Sequence, residues 1–203
     1  MRHVVAVCGP IGGGKTSVVR GLVRLLGDAV AIHMDSYERM TSAQIDDVAR
    51  WAERGADVEQ LPVPLLAEHL RALRRGETVA DPARGAPIAP RKYIVLETQF
   101  GRQHQSTGEQ IDLLIWIDTP LDLALARKLK AFTDDALRER AEAGRERLAW
   151  LDGYLANYLA LVRRLMLLQA ARVRPQADIV LDGSGELEAI VREARLQVLR
   201  SLP

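Results

Sequence analysis

A lysine and a threonine follow a glycine-rich segment near the start of the chain, where residues 9–16 read GPIGGGKT. This segment, called the phosphate loop below, matches the pattern G-x-x-x-x-G-K-[ST]. In that pattern backbone N–H groups surround phosphate oxygens, the lysine reaches the β- and γ-phosphates, and the hydroxyl ligates Mg²⁺. The phosphate loop therefore predicts binding of a nucleoside triphosphate together with Mg²⁺; ATP is the favoured nucleotide, although the loop does not distinguish it from GTP. The residues predicted to hold the nucleotide are Gly9, Pro10, Ile11, Gly12, Gly13, Gly14, Lys15, Thr16 and Ser17.

Carboxylates stand at the ends of later apolar runs. Asp35 closes the run AVAIHMD, Glu97 lies near the end of KYIVLET, and Asp118 lies near the end of LLIWIDT. Phosphoryl transfer requires the γ-phosphate, the metal and the acceptor oxygen to be held in line. Asp35 is predicted to deprotonate an acceptor hydroxyl and to stand near the metal, and Glu97 is predicted to help hold the metal. Either residue could instead end its strand or shape a turn, and for Asp118 we favour a helix-capping role.

Apolar runs and helical patterns alternate along the chain and position these residues. Apolar runs that predict buried strands lie at 3–8, 29–35, 92–98, 113–119 and 177–182. Patterns that predict helices lie at 16–26, 41–54, 62–76, 121–132, 133–149 (with Thr133 as cap), 151–166 and 186–199. This alternation predicts an α/β fold with a mostly parallel five-stranded sheet and helices on both faces. Ligands of such sheets bind at the carboxyl ends of the strands, where the phosphate loop, Asp35 and Glu97 are expected to meet.

Two connecting segments are predicted to be irregular. Residues 77–90 contain three prolines and one glycine, which favours a loop with a short hairpin. Residues 99–112 are polar and follow Glu97 directly, so we predict a surface loop over the site. Within it, Arg102 and His104 are candidate contacts to substrate or phosphate, although an exposed histidine is more often simply solvated. His33 is interpreted as a residue of the second strand without a role in the site.

Five segments, in the same order along the chain, carry a resemblance to a known family. They are GPIGGGKT at 9–16, MDSY at 34–37, YIVLET at 93–98, WIDTPLDLALARK at 116–128 and ADIVLDGSGELEAIV at 177–191. In these five segments the chain resembles the uridine kinase and phosphoribulokinase-like branch of the P-loop small-molecule kinases. The resemblance implies a P-loop NTPase three-layer sandwich, forming a single domain over residues 1–203 with a helical lid at about 127–149. It also implies transfer of the γ-phosphoryl group of ATP to a hydroxyl of a small molecule.

The resemblance also implies roles for individual residues. Asp35 matches the acidic residue near the acceptor hydroxyl, Glu97 matches the acid that helps hold the metal, and Tyr37 lies in the D-S-[FY] element as a candidate substrate contact. Arg127 and Lys128 match the start of the lid, where basic side chains close on the phosphates, and Arg127 is the predicted catalytic arginine.

The chain departs from the family pattern at several places. Thr98 replaces the glycine that usually follows the metal-side acid, and Ala131 and Phe132 stand where the lid pattern has an arginine and an aspartate. The segment that contacts uridine has no counterpart. The acceptor is therefore left open among a nucleoside, a sugar or sugar phosphate, and a vitamin-like alcohol. The weakened lid also supports an alternative, a nucleotide-binding regulatory or switch protein with weak or no kinase turnover.

The bulk composition narrows the classes of partner that the chain is expected to bind. The formal net charge is +1 with 27% charged residues, which disfavours a nucleic-acid partner or an anionic membrane surface. The single cysteine, Cys8, rules out an intrachain disulfide and, with a strand that begins at once, predicts a cytoplasmic protein. No apolar run reaches the length of a membrane span. The apolar stripe at 151–166 predicts a core helix, or a homodimer surface if one side is exposed.

Overall fold

The computed structural model describes residues 1–37, 45–138 and 144–202. Five parallel strands form the central sheet in the order β2-β5-β1-β6-β7. Their bounds are His3–Cys8 (β1), Ala29–His33 (β2), Tyr93–Glu97 (β5), Leu113–Asp118 (β6) and Ile179–Asp182 (β7). Each strand occupies a predicted apolar run, so the prediction of a five-stranded parallel sheet is confirmed.

Helices cover both faces of the sheet. On one face pack α1 (Lys15–Leu26) and α8 (Leu187–Ser201), which share a buried cluster with Val5 and Val7 of β1. On the other face lie α3 (Pro64–Arg75) and residues of α7 (Arg163–Val173), which share a second cluster with Val4, Ala6 and Cys8. Successive side chains of a strand point to opposite faces, so β1 can be apolar throughout only because both faces are covered.

Smaller elements fill the connections on the second face. Here α2 (Ile45–Glu53) precedes α3, and β3 (Val79–Ala80) pairs with β4 (Pro87–Ile88) in the predicted short hairpin. The helix predicted from residue 41 begins, within the described residues, at Ile45. The segment predicted as a surface loop contains the short helix α4 (Gln105–Gly108), and its buried residues include Phe100, His104, Thr107 and Ile111. The loop prediction is thus wrong for its central part, because these side chains pack against the core.

The helices after β6 differ from the predicted pattern. Helix α5 (Leu121–Arg138) continues through Thr133, whose hydroxyl donates to the carbonyl of Lys130 at 2.9 Å instead of capping a new helix. The predicted break at Thr133 is therefore wrong, because a threonine inside a helix can satisfy its hydroxyl on the preceding turn. Residues 139–143 lie outside those described, and α6 (Gly144–Asn157) follows them.

A single turn of π-helix, Tyr158–Val162, joins α6 to α7. Such turns insert an extra residue into the helical ladder and occur often at functional sites. Within the described ranges, no helix combines the length and the apolarity needed to cross a lipid bilayer.

Candidate active site

The phosphate loop connects β1 to α1 at the carboxyl edge of the sheet. Gly14 adopts a left-handed conformation with φ 93° immediately before the first residue of α1. At Gly12, which has φ 79°, an added Cβ would come within 2.2 Å of the carbonyl oxygen of Ala124 in α5. Glycine is therefore required at Gly12 both by backbone conformation and by the close approach of α5. The N-terminus of α1 points its unpaired N–H groups at the space enclosed by the loop, as expected for an anion site.

Lys15 is buried under the phosphate loop. Only 8% of its surface is exposed, and its Nζ donates to the carbonyl oxygen of Pro10 at 3.1 Å. Burial lowers the pKa of Lys15 below its usual value, and Lys128 adds to this effect, while the carboxylates of Glu97 and Asp35 oppose it. The buried ammonium group of Lys15 has one neutral partner, so an anion bound beside it would stabilise its charge. The loop therefore favours binding of a phosphate group.

Glu97, the last residue of β5, connects the central sheet to the phosphate loop. Its Oε1 accepts a hydrogen bond from the Thr16 hydroxyl at 2.7 Å, and its Oε2 lies 2.7 Å from His33 Nδ1. Because a carboxylate only accepts, Nδ1 carries the shared hydrogen. Burial tends to raise the pKa of Glu97, but hydrogen bonds from His33 and Thr16 and the charge of Lys15 together hold it below its usual value. The residue is therefore a carboxylate poised beside the hydroxyl that the sequence assigns to Mg²⁺.

The contact between His33 and Glu97 was missed by the sequence interpretation. His33 follows the alternation of β2 and was assigned only to the sheet, yet its register partner in the neighbouring strand is Glu97. No local signal reveals this pairing, because it depends on the order of strands in the sheet.

We expect His33→Ala to lower activity roughly 10–100-fold, the usual cost of removing a residue that orients a metal ligand. The physical reason is that Glu97 loses one of its two side-chain donors. The measurement is turnover as a function of Mg²⁺ concentration, with a higher half-saturating concentration in the variant. His33→Asn should restore most of the loss, since its amide can donate from about the same position. Equal losses in the two variants would show that His33 acts through packing.

Asp35 lies beyond β2 in a short 3-10 turn, Met34–Ser36, on the rim of the site. It is exposed, and its Oδ1 accepts from Gln99 Nε2 at 3.3 Å. Tyr37, two residues on, lies with its hydroxyl 3.0 Å from His69 Nδ1 of α3. Burial raises the pKa of Tyr37 to about 12, so its hydroxyl is neutral at physiological pH. Among the described residues, Oδ2 of Asp35 has no hydrogen-bond partner, while Tyr37 is anchored to α3.

A cavity of about 520 Å³ extends from the phosphate loop and Gln99 across the second face of the sheet. Its wall includes Ile11 of the phosphate loop, and Gln99 is the residue that contacts Asp35. The apolar stripe predicted at 151–166 forms one side of it: Tyr154, Val162, Leu165 and Met166 line the cavity. The volume lies within the range of roughly 300–1,000 Å³ typical of small-molecule sites. The stripe is therefore neither a solvent face nor only core, since it shapes a pocket.

The two basic residues at 127–128 occupy different positions. Arg127 Nη1 donates to the carbonyl of Gly183 at 2.7 Å and Nη2 to that of Ser184 at 3.4 Å, in the turn after β7. Lys128 lies nearer the phosphate loop: a Cβ atom placed on Gly12 would lie 3.2 Å from the Cβ of Lys128. Arg127 thus has backbone partners, and Lys128 is the exposed cation beside the loop.

Arg102 and His104, the two candidate contacts in the segment after Glu97, have different surroundings. Arg102 donates to the carbonyl of Gln176 at 2.9 Å and forms an ion pair with Asp178 at 2.6 Å, at the amino end of β7. This end of the sheet is opposite to the one that carries the phosphate loop, so Arg102 lies away from the loop.

His104 is buried instead of exposed. Its exposed fraction is 2%, its ring meets Phe100 edge-on at 5.5 Å, and its Nε2 has no hydrogen-bond partner among the described residues. The expectation of an exposed histidine is therefore wrong, because the segment after Glu97 turns inward. Burial lowers the pKa of His104, against the opposing charges of Glu59 and Asp57.

This burial predicts a pH-dependent stability. His104 stays neutral in the folded chain, whereas in the unfolded chain it gains a proton near pH 6.5. Its contribution to the free energy of unfolding is therefore full above about pH 6.5 and falls as the pH drops below that value. His104→Gln, which cannot titrate, should flatten this part of the profile in denaturant unfolding measured between about pH 5 and 8. An unchanged slope in the variant would contradict the assignment.

A metal ion is best accommodated together with phosphate oxygens. The described residues include no group of three or more His, Cys, Asp or Glu side chains able to hold a metal by themselves. Mg²⁺ typically binds through one or two protein oxygens plus substrate phosphates and water. The paired oxygens of Thr16 and Glu97 beside the phosphate loop fit that pattern, and Asp35 lies on the same rim.

Comparison with known proteins places these features in context. The family model described as the phosphoribulokinase / uridine kinase family matches residues 4–163. A uridine kinase from Mannheimia succiniciproducens is 25% identical over 215 residues, which cover 98% of this chain and 94% of that protein.

Solved structures show the same fold at lower identity. A possible uridine kinase from Bacillus stearothermophilus matches with a TM-score of 0.51 and 17% identity, covering 89% of each chain. Shikimate kinase from Acinetobacter baumannii matches with a TM-score of 0.51 and 18% identity, covering 100% of this chain and 97% of that chain. These neighbours confirm the predicted α/β fold with a phosphate loop.

Proposed function

The chain belongs to the phosphoribulokinase / uridine kinase family and is a small-molecule kinase; on that premise we propose that it transfers the γ-phosphoryl group of ATP, with Mg²⁺, to a hydroxyl group. The observation that carries the proposal is the hydrogen bond of 2.7 Å between Thr16 and Glu97 beside the buried Lys15. It joins the phosphate loop to a carboxylate on a neighbouring strand, next to a cavity large enough for an acceptor.

Each residue in the site has a role in this proposal. The backbone N–H groups of the phosphate loop bind phosphate oxygens, and Lys15 neutralises charge that develops on them. Thr16 and Glu97 would hold Mg²⁺, which when bound offsets the negative charge of the triphosphate. Asp35 accepts the proton of the acceptor hydroxyl.

The lid is proposed to lie at about residues 127–149, a range that includes the later part of α5 and the start of α6. Lys128 lies beside the phosphate loop and can approach bound phosphates directly. The guanidinium of Arg127 donates to the carbonyls of Gly183 and Ser184, so its predicted catalytic role requires the side chain to turn from these partners toward the phosphates. Lys128 therefore joins Arg127 as a proposed source of positive charge from the lid.

The test combines nucleotide binding with product detection. Calorimetric titration should show binding of ATP–Mg²⁺, and incubation with a panel of alcohols should consume ATP and yield a phosphate ester detectable by mass spectrometry. Binding without ester formation across nucleosides, sugars, sugar phosphates and simple alcohols would favour the nucleotide-binding switch protein. Absence of binding would remove both functions.

The cytoplasmic location, the homodimer and the lack of a nucleic-acid or membrane partner stay predictions.

A further inference from the structure

A row of aromatic side chains joins α5 to α6. The rings of Phe132 and Trp150 stack with their centroids 4.6 Å apart and an interplanar angle of 16°. The ring of Trp150 stacks in turn on that of Tyr154, at 5.3 Å and 11°. Tyr158 follows at 6.4 Å in a tilted arrangement and is buried. These four residues, called the aromatic row below, run from the second half of α5 to the π-helical turn.

The aromatic row begins on the side of α5 that touches the phosphate loop. Ala124, Lys128 and Phe132 are spaced four residues apart, and residues with this spacing lie on one side of a helix. Ala124 is fully buried, and a Cβ atom placed on Gly12 would lie 2.2 Å from its carbonyl oxygen and 3.2 Å from the Cβ of Lys128. One side of α5 therefore carries the contact with the phosphate loop, the exposed side chain of Lys128 and, one turn further, the ring of Phe132.

Helix α6, which carries the middle of the row, has no buried residue among its described residues, 144–157. Trp150 itself is 48% exposed. Stacked aromatic pairs add stability beyond the apolar area that they bury, so the rings give α6 a defined contact with α5. Further along the row, Tyr154 lines the cavity whose wall also includes Ile11 of the phosphate loop. The row therefore connects α5 to the wall of this cavity.

The stacked contact lies where the chain departs from the family's lid pattern. Ala131 and Phe132 stand at the positions of an arginine and an aspartate, so the lid has one cation fewer and a ring in place of an acid. Lys128 is the exposed lysine that remains beside the phosphate loop. Its placement is therefore important, because a small displacement of a group that acts on the reacting phosphate lowers the rate strongly.

We propose that Trp150 is a positioning residue for Lys128. By stacking between Phe132 and Tyr154, its indole holds the side of α5 that carries Lys128 against the phosphate loop, so that the ammonium group stands near the phosphates of a bound nucleotide. Trp150 is not among the described residues that line the cavity, so it acts through its neighbours. The inference deepens the proposed function and rests on it, because Lys128 has this role only in a chain that binds a nucleoside triphosphate.

The first test is a double-mutant cycle between Trp150→Ala and Lys128→Met, read as the calorimetric dissociation constant for ATP–Mg²⁺. We expect Trp150→Ala to weaken binding roughly threefold or more when Lys128 is present, a typical coupling between residues of one network. In the Lys128→Met background the same substitution should change affinity less than about twofold, because the group that Trp150 positions is gone. Equal losses in the two backgrounds, or no loss in either, would overturn the inference.

The same cycle is then read as turnover with the best acceptor from the panel of alcohols. Trp150→Ala should lower kcat roughly 10–100-fold in the presence of Lys128, the cost of a misplaced contact, and should have little effect in the Lys128→Met background. A loss confined to the KM of the acceptor would place the effect on the cavity and overturn the inference. If no phosphate ester forms with any alcohol, the proposed function fails, and the cycle on nucleotide binding alone decides the inference.

Two further variants separate positioning from folding. Trp150→Phe keeps a ring between Phe132 and Tyr154 and should recover most of the lost affinity and kcat, so losses as large as those of Trp150→Ala would overturn the inference. Phe132→Leu removes the ring on α5, keeps an apolar side chain and leaves α6 unchanged. Its losses should show the same dependence on Lys128, and if Trp150→Ala does not fold, Phe132→Leu decides the cycle in its place.

Leu159→Ala provides the matched control. Leu159 is a large apolar side chain in the π-helical turn, 78% exposed against 48% for Trp150, and it lies outside the aromatic row. Its truncation should leave kcat and the affinity for ATP–Mg²⁺ within about twofold of wild type, as is usual for surface positions. Losses equal to those of Trp150→Ala would show that any truncation in this region has the same effect, and would overturn the inference.

Discussion

Replacing Asp35 with asparagine should lower the turnover number roughly 10²–10⁴-fold, the usual cost of losing a general base. The substitution keeps the shape of the side chain and removes its charge and its ability to accept a proton. The contact with Gln99 at 3.3 Å can persist, because the amide retains one oxygen. Affinity for ATP–Mg²⁺ should change much less, since the phosphate loop and Lys15 hold the triphosphate. The measurements are turnover with an accepted alcohol and a calorimetric dissociation constant for ATP–Mg²⁺.

Asp46→Asn provides the matched control for this experiment. Asp46 is exposed in the first turn of α2, and the same substitution there should leave turnover within about twofold, as is usual for surface positions. Large and equal losses of turnover and of nucleotide affinity in Asp35→Asn would make Asp35 chiefly a metal ligand. If neither quantity changes, the base lies elsewhere, and Glu97 becomes the first residue to test.

Lys15→Met should reduce affinity for ATP–Mg²⁺ roughly 10–100-fold, as expected for the loss of a charged hydrogen-bond donor. Turnover should fall roughly 10²–10³-fold as well, because the same ammonium stabilises charge that develops during transfer. The melting temperature of the nucleotide-free protein should not drop. Burial lowers the pKa of Lys15, so its charged form is held at a cost that methionine removes while filling nearly the same volume.

The melting temperature without and with ATP–Mg²⁺ separates these two effects. Wild-type protein should be stabilised by the nucleotide, and Lys15→Met should show little of this shift at the same concentration. Lys92→Met, at the amino end of β5, changes the same residue type away from the site and should behave like wild type. A Lys15→Met protein that melts at a lower temperature without nucleotide, yet binds ATP–Mg²⁺ normally, would show that Lys15 is structural.

Much of the architecture follows from local sequence patterns. The three inner strands, β1, β5 and β6, are visible in the sequence because residues buried on both faces must be apolar throughout, and the partly exposed outer strands β2 and β7 also occupy predicted apolar runs. The phosphate loop was equally evident, since its glycines and Lys15 are set by a backbone conformation that spans few residues. Where a local pattern allowed two outcomes, the prediction failed: Thr133 suits a helix cap, yet it lies inside α5.

The partners of the site residues were decided by the tertiary structure. His33 meets Glu97 only because β2 pairs with β5, and Arg102 meets Asp178 only because the segment after Glu97 runs back across the sheet. His104 was expected in solvent and is buried for the same reason.

The sequence by itself determined that this chain has a phosphate loop at the end of a buried strand, with Asp35 and Glu97 following later strands. Those features depend on short segments whose backbone geometry and burial are encoded by neighbouring residues. The tertiary structure alone decided which side chains hold Glu97, where the lid cations lie, and what lines the cavity near Asp35. The physical reason is that these contacts join residues far apart in the chain, so they depend on strand order and helix packing, which no local pattern specifies.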